Sequence, residues 1–204
     1  LNQQHERVYL HRTFSRSAGG GPMDGEHLRR VGRFTPVAGT FRWPRHTTLW
    51  ELQHGWASVA HVAPLIAGSG IDRLLIASSR TPSLDEQRVA VGWAECCYHE
   101  EVALHPGTAR RYLDLVHTHR EQLAASFGWQ LVGAFRTAMV HDTEAIVLWA
   151  VPTWDAWARW ETAEVDDPSV AIWRGHLDGL VRDWRATVVV DQPAASTATR
   201  RAQR

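Results

Sequence analysis

The stretch Trp129-Gln130-Leu131-Val132-Gly133-Ala134-Phe135-Arg136-Thr137, followed by Thr143-Glu144-Ala145-Ile146-Val147-Leu148-Trp149-Ala150, constrains the fold most. It reads as two β-strands rich in branched and aromatic residues, with His141 and Asp142 in the connector. Much of it occurs twice. Val37-Ala38-Gly39-Thr40-Phe41-Arg42 matches Leu131-Val132-Gly133-Ala134-Phe135-Arg136 at an offset of 94 residues, and Leu49-Trp50 matches Leu148-Trp149 at an offset of 99. The difference between the offsets is assigned to the hairpin, where extra length costs little because loop-closure entropy rises slowly. A chain of 204 residues that repeats itself this way is expected to be two copies of one small unit.

In the first half, residues 7–14 have strand composition. Residues 15–25 are rich in Ser, Gly and Pro, but Gly19-Gly20-Gly21 lacks both the spacing of a phosphate loop and any lysine. Leu28, Val31 and Phe34, spaced by three, predict a short helix over 26–34, and strands are expected over 37–43 and 47–53. A helix over 56–66, which Pro64 kinks or ends, leads to a closing strand over 71–78. The second half runs as a strand over 92–104, a helix over 109–127 stopped by Gly128, and the two strands above. Thr153 then caps a helix carrying Trp154, Trp157 and Trp160, helix resumes over 169–184, and a last strand covers 187–190. The expected fold is α+β: tandem ferredoxin-like units, each β-α-β-β-α-β, at 1–80 and 92–190, with a linker or short capping helix over 81–91 and a disordered tail over 191–204. The first unit is degenerate, because its first helix is much shorter than its counterpart.

Ile146, Val147 and Leu148 in succession leave no solvated face, so each sheet must be covered on both sides. Here the sequence resembles the NIPSNAP-like proteins of the dimeric α/β-barrel superfamily. The residues that carry it are Gly128, Trp129, Gly133, Phe135-Arg136-Thr137, Ile146-Val147-Leu148-Trp149, and Trp154 to Trp160 with Asp167-Pro168 and Trp173 beyond. The likeness covers 91–190 well and 7–80 weakly. It implies two sheets packed face to face, here in one chain, with a pocket either between a sheet and its helices or inside the barrel. The superfamily includes cofactor-independent monooxygenases, muconolactone-type isomerases, and haem-binding aldoxime dehydratases and chlorite dismutases, so the chemistry stays open.

Charge is balanced at 22 basic and 22 acidic residues, which leaves no global field to gather nucleic acid or an acidic membrane. Every basic residue is arginine, which removes Schiff-base catalysis and the P-loop lysine together. Cys96 and Cys97 are adjacent and point to opposite faces of a strand, so they imply no disulfide framework. A reducing cytoplasm is therefore the expected compartment, and no apolar run approaches the roughly 18–20 residues of a membrane span.

Histidine, at 12 residues, is the main polar signal. His99 and Glu101 share one strand face, as a base and its orienting carboxylate would. His117 and His119 lie about 200° apart on their helix and cannot share a metal; His119 is nearer the apolar stripe and is the pocket candidate. Arg136 and Arg42 hold equivalent repeat positions, suited to clamping an anion or enolate or to pairing with a local carboxylate. Trp50, Tyr112 and Trp149 are the candidates for an aromatic cavity wall. No HExxH and no Cys/His quartet is present, so no metal, flavin or nicotinamide is expected; haem held by one axial histidine is the exception. His99, Glu101, His119 and Arg136 as catalytic residues, with Arg42, Trp50, Tyr112 and Trp149 as substrate-binding ones, point to cofactor-independent acid–base chemistry on a largely apolar, aromatic small molecule: isomerisation, cyclisation or elimination. A cofactor-free monooxygenase and a non-catalytic binding or interaction protein are the alternatives, and homodimerisation through outer surfaces is left open.

Overall fold

Alternating apolar side chains build eight strands in the computed structural model, which describes residues 6–15, 24–37, 45–65 and 70–192. They are β1 (Val8–Ser15), β2 (Leu28–Pro36), β3 (Arg45–Leu52), β4 (Ile71–Ala77), β5 (Cys96–Leu104), β6 (Gln130–Thr137), β7 (Glu144–Val151) and β8 (Val181–Asp191). All pair antiparallel, and they close into one barrel in the order β1-β3-β2-β8-β5-β7-β6-β4. Each half supplies four consecutive staves. The seams are short: Phe34 to Pro36 of β2 against Asp191 to Val189 of β8, and Leu75 to Ala77 of β4 against Thr137 to Phe135 of β6.

Both faces of every sheet are occupied, as the unbroken apolar run of β7 requires. Ile146, Leu148 and Ala150 turn into the barrel beside Tyr9, Phe34, Leu49, Leu75, Cys97, Phe135 and Val189, while Val147, Trp149 and Val151 turn outward under the helices. Cys96 and Cys97 do face opposite sides. The second half carries α3 (Ala109–Leu115), a π-turn over Val116–Arg120, α4 (Glu121–Ser126), α5 (Trp154–Asp166) and α6 (Pro168–His176). Thr153 caps α5 by accepting from the Ala156 N–H at 3.1 Å. The first half carries only the turn of helix α1 (Val59–Val62) between two 3₁₀ turns. Much of the segment between the halves forms α2 (Leu84–Trp93), begun by a Ser83–Glu86 capping box; its Leu84, Ala90 and Val91 plug one end of the barrel. No described helix is long and apolar enough to cross a membrane.

Several sequence expectations are corrected. Residues 28–36 form a strand where a helix was predicted, because Leu28, Val31 and Phe34 meet the core across a bulge: the register of β2 against β3 shifts between Arg30 and Gly32. Residues 38–44, with most of the predicted 37–43 strand, lie outside the described residues, as does the tail beyond 192. Helix stops at His176, so residues 181–184 begin β8.

The repeat itself is real but differently aligned. Gly32 pairs with Leu49 and Gly133 pairs with Leu148, each glycine at a bulge and each covered by the ring of a phenylalanine two residues on, Phe34 and Phe135. Gly32 and Gly133 are 101 residues apart, while Gly39, from which the offset of 94 was taken, lies outside the described residues. The offset of 99 for Leu49-Trp50 stands, since Leu49 and Leu148 occupy the same place in their hairpins.

Candidate active site

Of the eight residues expected to form one site, the seven that the structure describes are distributed over separate places. His99 and Glu101 face the barrel interior from β5. Opposite them β1 contributes His11, whose Nε2 lies 3.1 Å from Nε2 of His99. The ring centroids are 5.2 Å apart and the planes nearly parallel, which puts the two nitrogens between the rings, as in an N–H···N hydrogen bond. Arg73 of β4 reaches Glu101 at 3.2 Å and Glu144 at 3.0 Å, and Thr137 donates to Glu144 at 2.7 Å. His11, His99 and Glu101 also form a group whose ligand atoms lie within 4.8 Å of one another. The 3.1 Å between the two Nε2 atoms is a hydrogen-bond distance, and His11, His99 and Glu101 are the described residues whose arrangement could also hold a metal ion.

Burial lowers the pKa of both histidines, His11 well below its usual value with further help from His99 and Arg73; for His99, Glu101 acts in the opposite direction. The unfolded chain therefore takes up protons near pH 6.5 while the folded chain does not, so this contribution to stability is complete above that pH and is lost as pH falls below it. Glu100, pushed up by burial, has the opposite sign: its contribution is lost as pH rises above the ordinary carboxylate range. Between pH 7.5 and 5.5 unfolding free energy is expected to fall by up to about 1.4 kcal/mol per histidine, and His11→Gln with His99→Gln should flatten the profile. Denaturant melts at several pH values measure it; an unchanged slope in the double variant would refute the assignment.

Tyr112 and Trp149 belong to the layer between the second sheet and its helices, where Trp149 donates from Nε1 to Glu100 at 2.7 Å. Arg120, from the π-turn, lies 3.7 Å from Glu100, within ion-pair range but too long for a hydrogen bond. Its guanidinium stands 3.9 Å over the Trp160 ring and 5.5 Å from that of Trp149. The Tyr112 hydroxyl and all three Arg120 nitrogens find no hydrogen-bond partner among the described residues. Trp50 instead packs with Leu10, Leu28 and Val62 in the core under α1, and Arg42 lies outside the described residues.

His119 is exposed and stacks on His176 at 4.2 Å, on the far side of the sheet from His99. The π-turn is the reason. An i→i+5 turn adds a residue to the helical circuit, and the inward face passes from Leu113 and Val116 to His117 and Arg120. A relay joining His99 to His119 is therefore not formed.

Arg136 points outward and, with His117, lines the wall of an open cavity of about 510 Å³ at the junction of β4, β6 and α3. Ser78, just after β4, places Oγ 2.6 Å from Nε2 of His117, and Nδ1 of His117 lies 3.1 Å from Glu121. Glu121 is also 3.6 Å from Arg80. An ionised carboxylate only accepts, so Nδ1 carries the imidazole proton and Nε2 presents its lone pair to Ser78. Arg136 is held by Asp142 at 3.1 Å and Glu6 at 3.6 Å. Arg7, Arg80 and Arg110 join it around the cavity with Glu6 and Asp114, and Arg80 and Arg136 are each paired with a carboxylate, Glu121 and Asp142. Sequence reasoning placed His117 off the apolar stripe and passed over Ser78, Glu121 and His11, since only chain folding brings them together.

No family model matches the sequence, and the search of curated proteins found no significant match. Among solved structures, an anthrone oxidase-like protein superposes with a TM-score of 0.61 at 8% identity, covering 93% of this chain and 92% of its own. A proposed monooxygenase from Fusobacterium nucleatum gives 0.56 at 4% identity, over 91% of this chain and 92% of its own. A NIPSNAP family protein of unknown function from Agrobacterium tumefaciens matches 50% of this chain and 94% of its own, with 17% identity and a TM-score of 0.42. With two four-stranded sheets supplied by one polypeptide and joined edge to edge, the chain has the fold of the dimeric α/β-barrel superfamily.

Proposed function

We propose that the protein is a cofactor-independent acid–base enzyme acting on a small molecule, with His117 as the base. One observation carries this: an imidazole whose tautomer is set by Glu121 directs Nε2 at Ser78, and both residues line a solvent-open cavity. The arginines around it would hold an anionic group or take up negative charge as it develops, so the favoured substrate is more polar than the largely apolar one expected from sequence. Elimination from a nitrobenzisoxazole, which needs only a base and support for the phenolate formed, is the test. His117→Ala should lower the elimination rate on the order of 10²-fold. An unchanged rate removes His117 from the role.

A second reading rests on the other layer. A buried guanidinium among Trp129, Trp149 and Trp160, beside the unpartnered Tyr112 hydroxyl, would suit a planar enolate that reacts with oxygen. Oxygen uptake with anthrone that requires Arg120 and ignores His117 would favour that monooxygenase reading instead.

A further inference from the structure

We propose that Ser78 is a nucleophile, making the cavity an acyl-transfer site for carboxylic esters that carry an anionic group. The proposal rests on the reading of His117 as a base and adds a covalent step to it. The Ser78 hydroxyl has two neighbours, Nε2 of His117 at 2.6 Å and Oγ1 of Thr81 at 3.0 Å. Thr81 already donates to the Ala134 carbonyl at 2.8 Å, so its proton is not aimed at Ser78. Nε2 has no proton of its own once Glu121 has fixed the tautomer. The Ser78 proton has two acceptors within reach, Nε2 of His117 and Oγ1 of Thr81, and the shorter contact is the one to His117. A serine, a histidine and a carboxylate arranged in this order activate an alcohol for attack.

A satisfied internal histidine would show the same hydrogen bonds, but Ser78 and His117 both line a cavity open to solvent. Backbone donors lie next to them. Thr81 N–H closes a turn onto the Ser78 carbonyl at 3.1 Å, and the two central N–H groups of that turn, on Ser79 and Arg80, stay outside its hydrogen bond. Both residues line the cavity and can support an oxyanion.

In the first half-reaction Ser78 Oγ bonds to the ester carbonyl carbon, its proton passes to Nε2, and the carbonyl π electrons become the oxyanion. Collapse breaks the bond to the alcohol, which leaves with the proton from His117. Water then attacks the acyl-serine, gives its proton to Nε2, and releases the carboxylic acid as that proton returns to Ser78. The sum is ester plus water giving acid plus alcohol, with no oxidant or reductant. Arg110, which also lines the cavity, would meet the anionic end of the substrate.

The test uses the whole chain with a fluorophosphonate probe, read by intact mass and peptide mapping, and p-nitrophenyl hemisuccinate, read by nitrophenolate release. One adduct on Ser78 is expected, absent in Ser78→Ala and His117→Ala, and hydrolysis should fall by at least roughly 10²-fold in each. Thermal melts establish that the variants fold. Ser78→Cys supplies an independent arm: iodoacetamide should modify that position faster than Cys96 and Cys97, buried thiols whose pKa burial pushes up, to about 11 for Cys96. If the wild type performs His117-dependent elimination but neither takes the probe nor hydrolyses the ester, the nucleophile is overturned and the base stands. If His117→Ala changes neither reaction, both readings fall.

Discussion

Arg120→Ala is expected to destabilise the protein by about 3–5 kcal/mol, the range for removing one partner of a buried ion pair. Arg120 and Glu100 each expose about 1% of their side chains, so neither can turn to water when the other is removed. Glu100 would keep the Trp149 N–H at 2.7 Å and would otherwise face apolar surroundings that already push its pKa up, against which Arg120 and Trp149 act. The variant also loses the guanidinium packed 3.9 Å over Trp160. At this chain length the fall in Tm should be roughly 6–20 °C. Arg120→Met with Glu100→Gln separates charge from packing: removing both charges while keeping the volume should recover most of the loss. Urea unfolding of the two variants beside the wild type measures it, and an Arg120→Ala midpoint equal to wild type would show that the pair contributes no stability.

Phe135→Ala should cost about 3–5 kcal/mol, the usual range for truncating a buried ring. Phe135 is fully buried, packs 4.9 Å from Tyr9 across the β4–β6 seam region, and lies over Gly133, where a Cβ would run into the ring. Gly133→Ala alone is then an overpacking change expected to cost about 1–3 kcal/mol. In the Phe135→Ala background the same glycine change should cost much less, because the obstructing ring is gone; the coupling is expected on the order of 0.5–3 kcal/mol. Gly32 and Phe34 form the same pair in the first half and should behave alike. Strict additivity in either cycle would mean that ring and glycine do not act as a unit. This glycine–phenylalanine pair is what the two halves share at the sheet: Gly39-Thr40-Phe41 has the same Gly-x-Phe spacing as Gly32-Arg33-Phe34, and strand pairing is what puts Gly32 beside Leu49.

What the sequence determined by itself follows from period and composition. The unbroken apolar β7, the branched and aromatic β6 and the Trp-spaced α5 are local patterns, each sufficient to specify its element, and the recurrence of the strand pattern required two sheets that cover one another. Strand alternation also placed His99 and Glu101 on one face and Cys96 and Cys97 on two. Tertiary structure decided what those faces meet. Periodicity specifies which way a side chain points and carries no information about what stands opposite, so His11 facing His99 and Ser78 facing His117 could be read only once the barrel had closed. It also decided the phase of the long helix, since a π-turn is stabilised by what packs beneath it: the turn that sends His119 to solvent is the one that buries His117 beside Ser78 and Arg120 beside Glu100. Polar residues are the hardest to place from sequence for the same reason. An apolar side chain is satisfied by any apolar neighbour, whereas Arg120 or His117 can be buried only where one particular partner has been brought within reach.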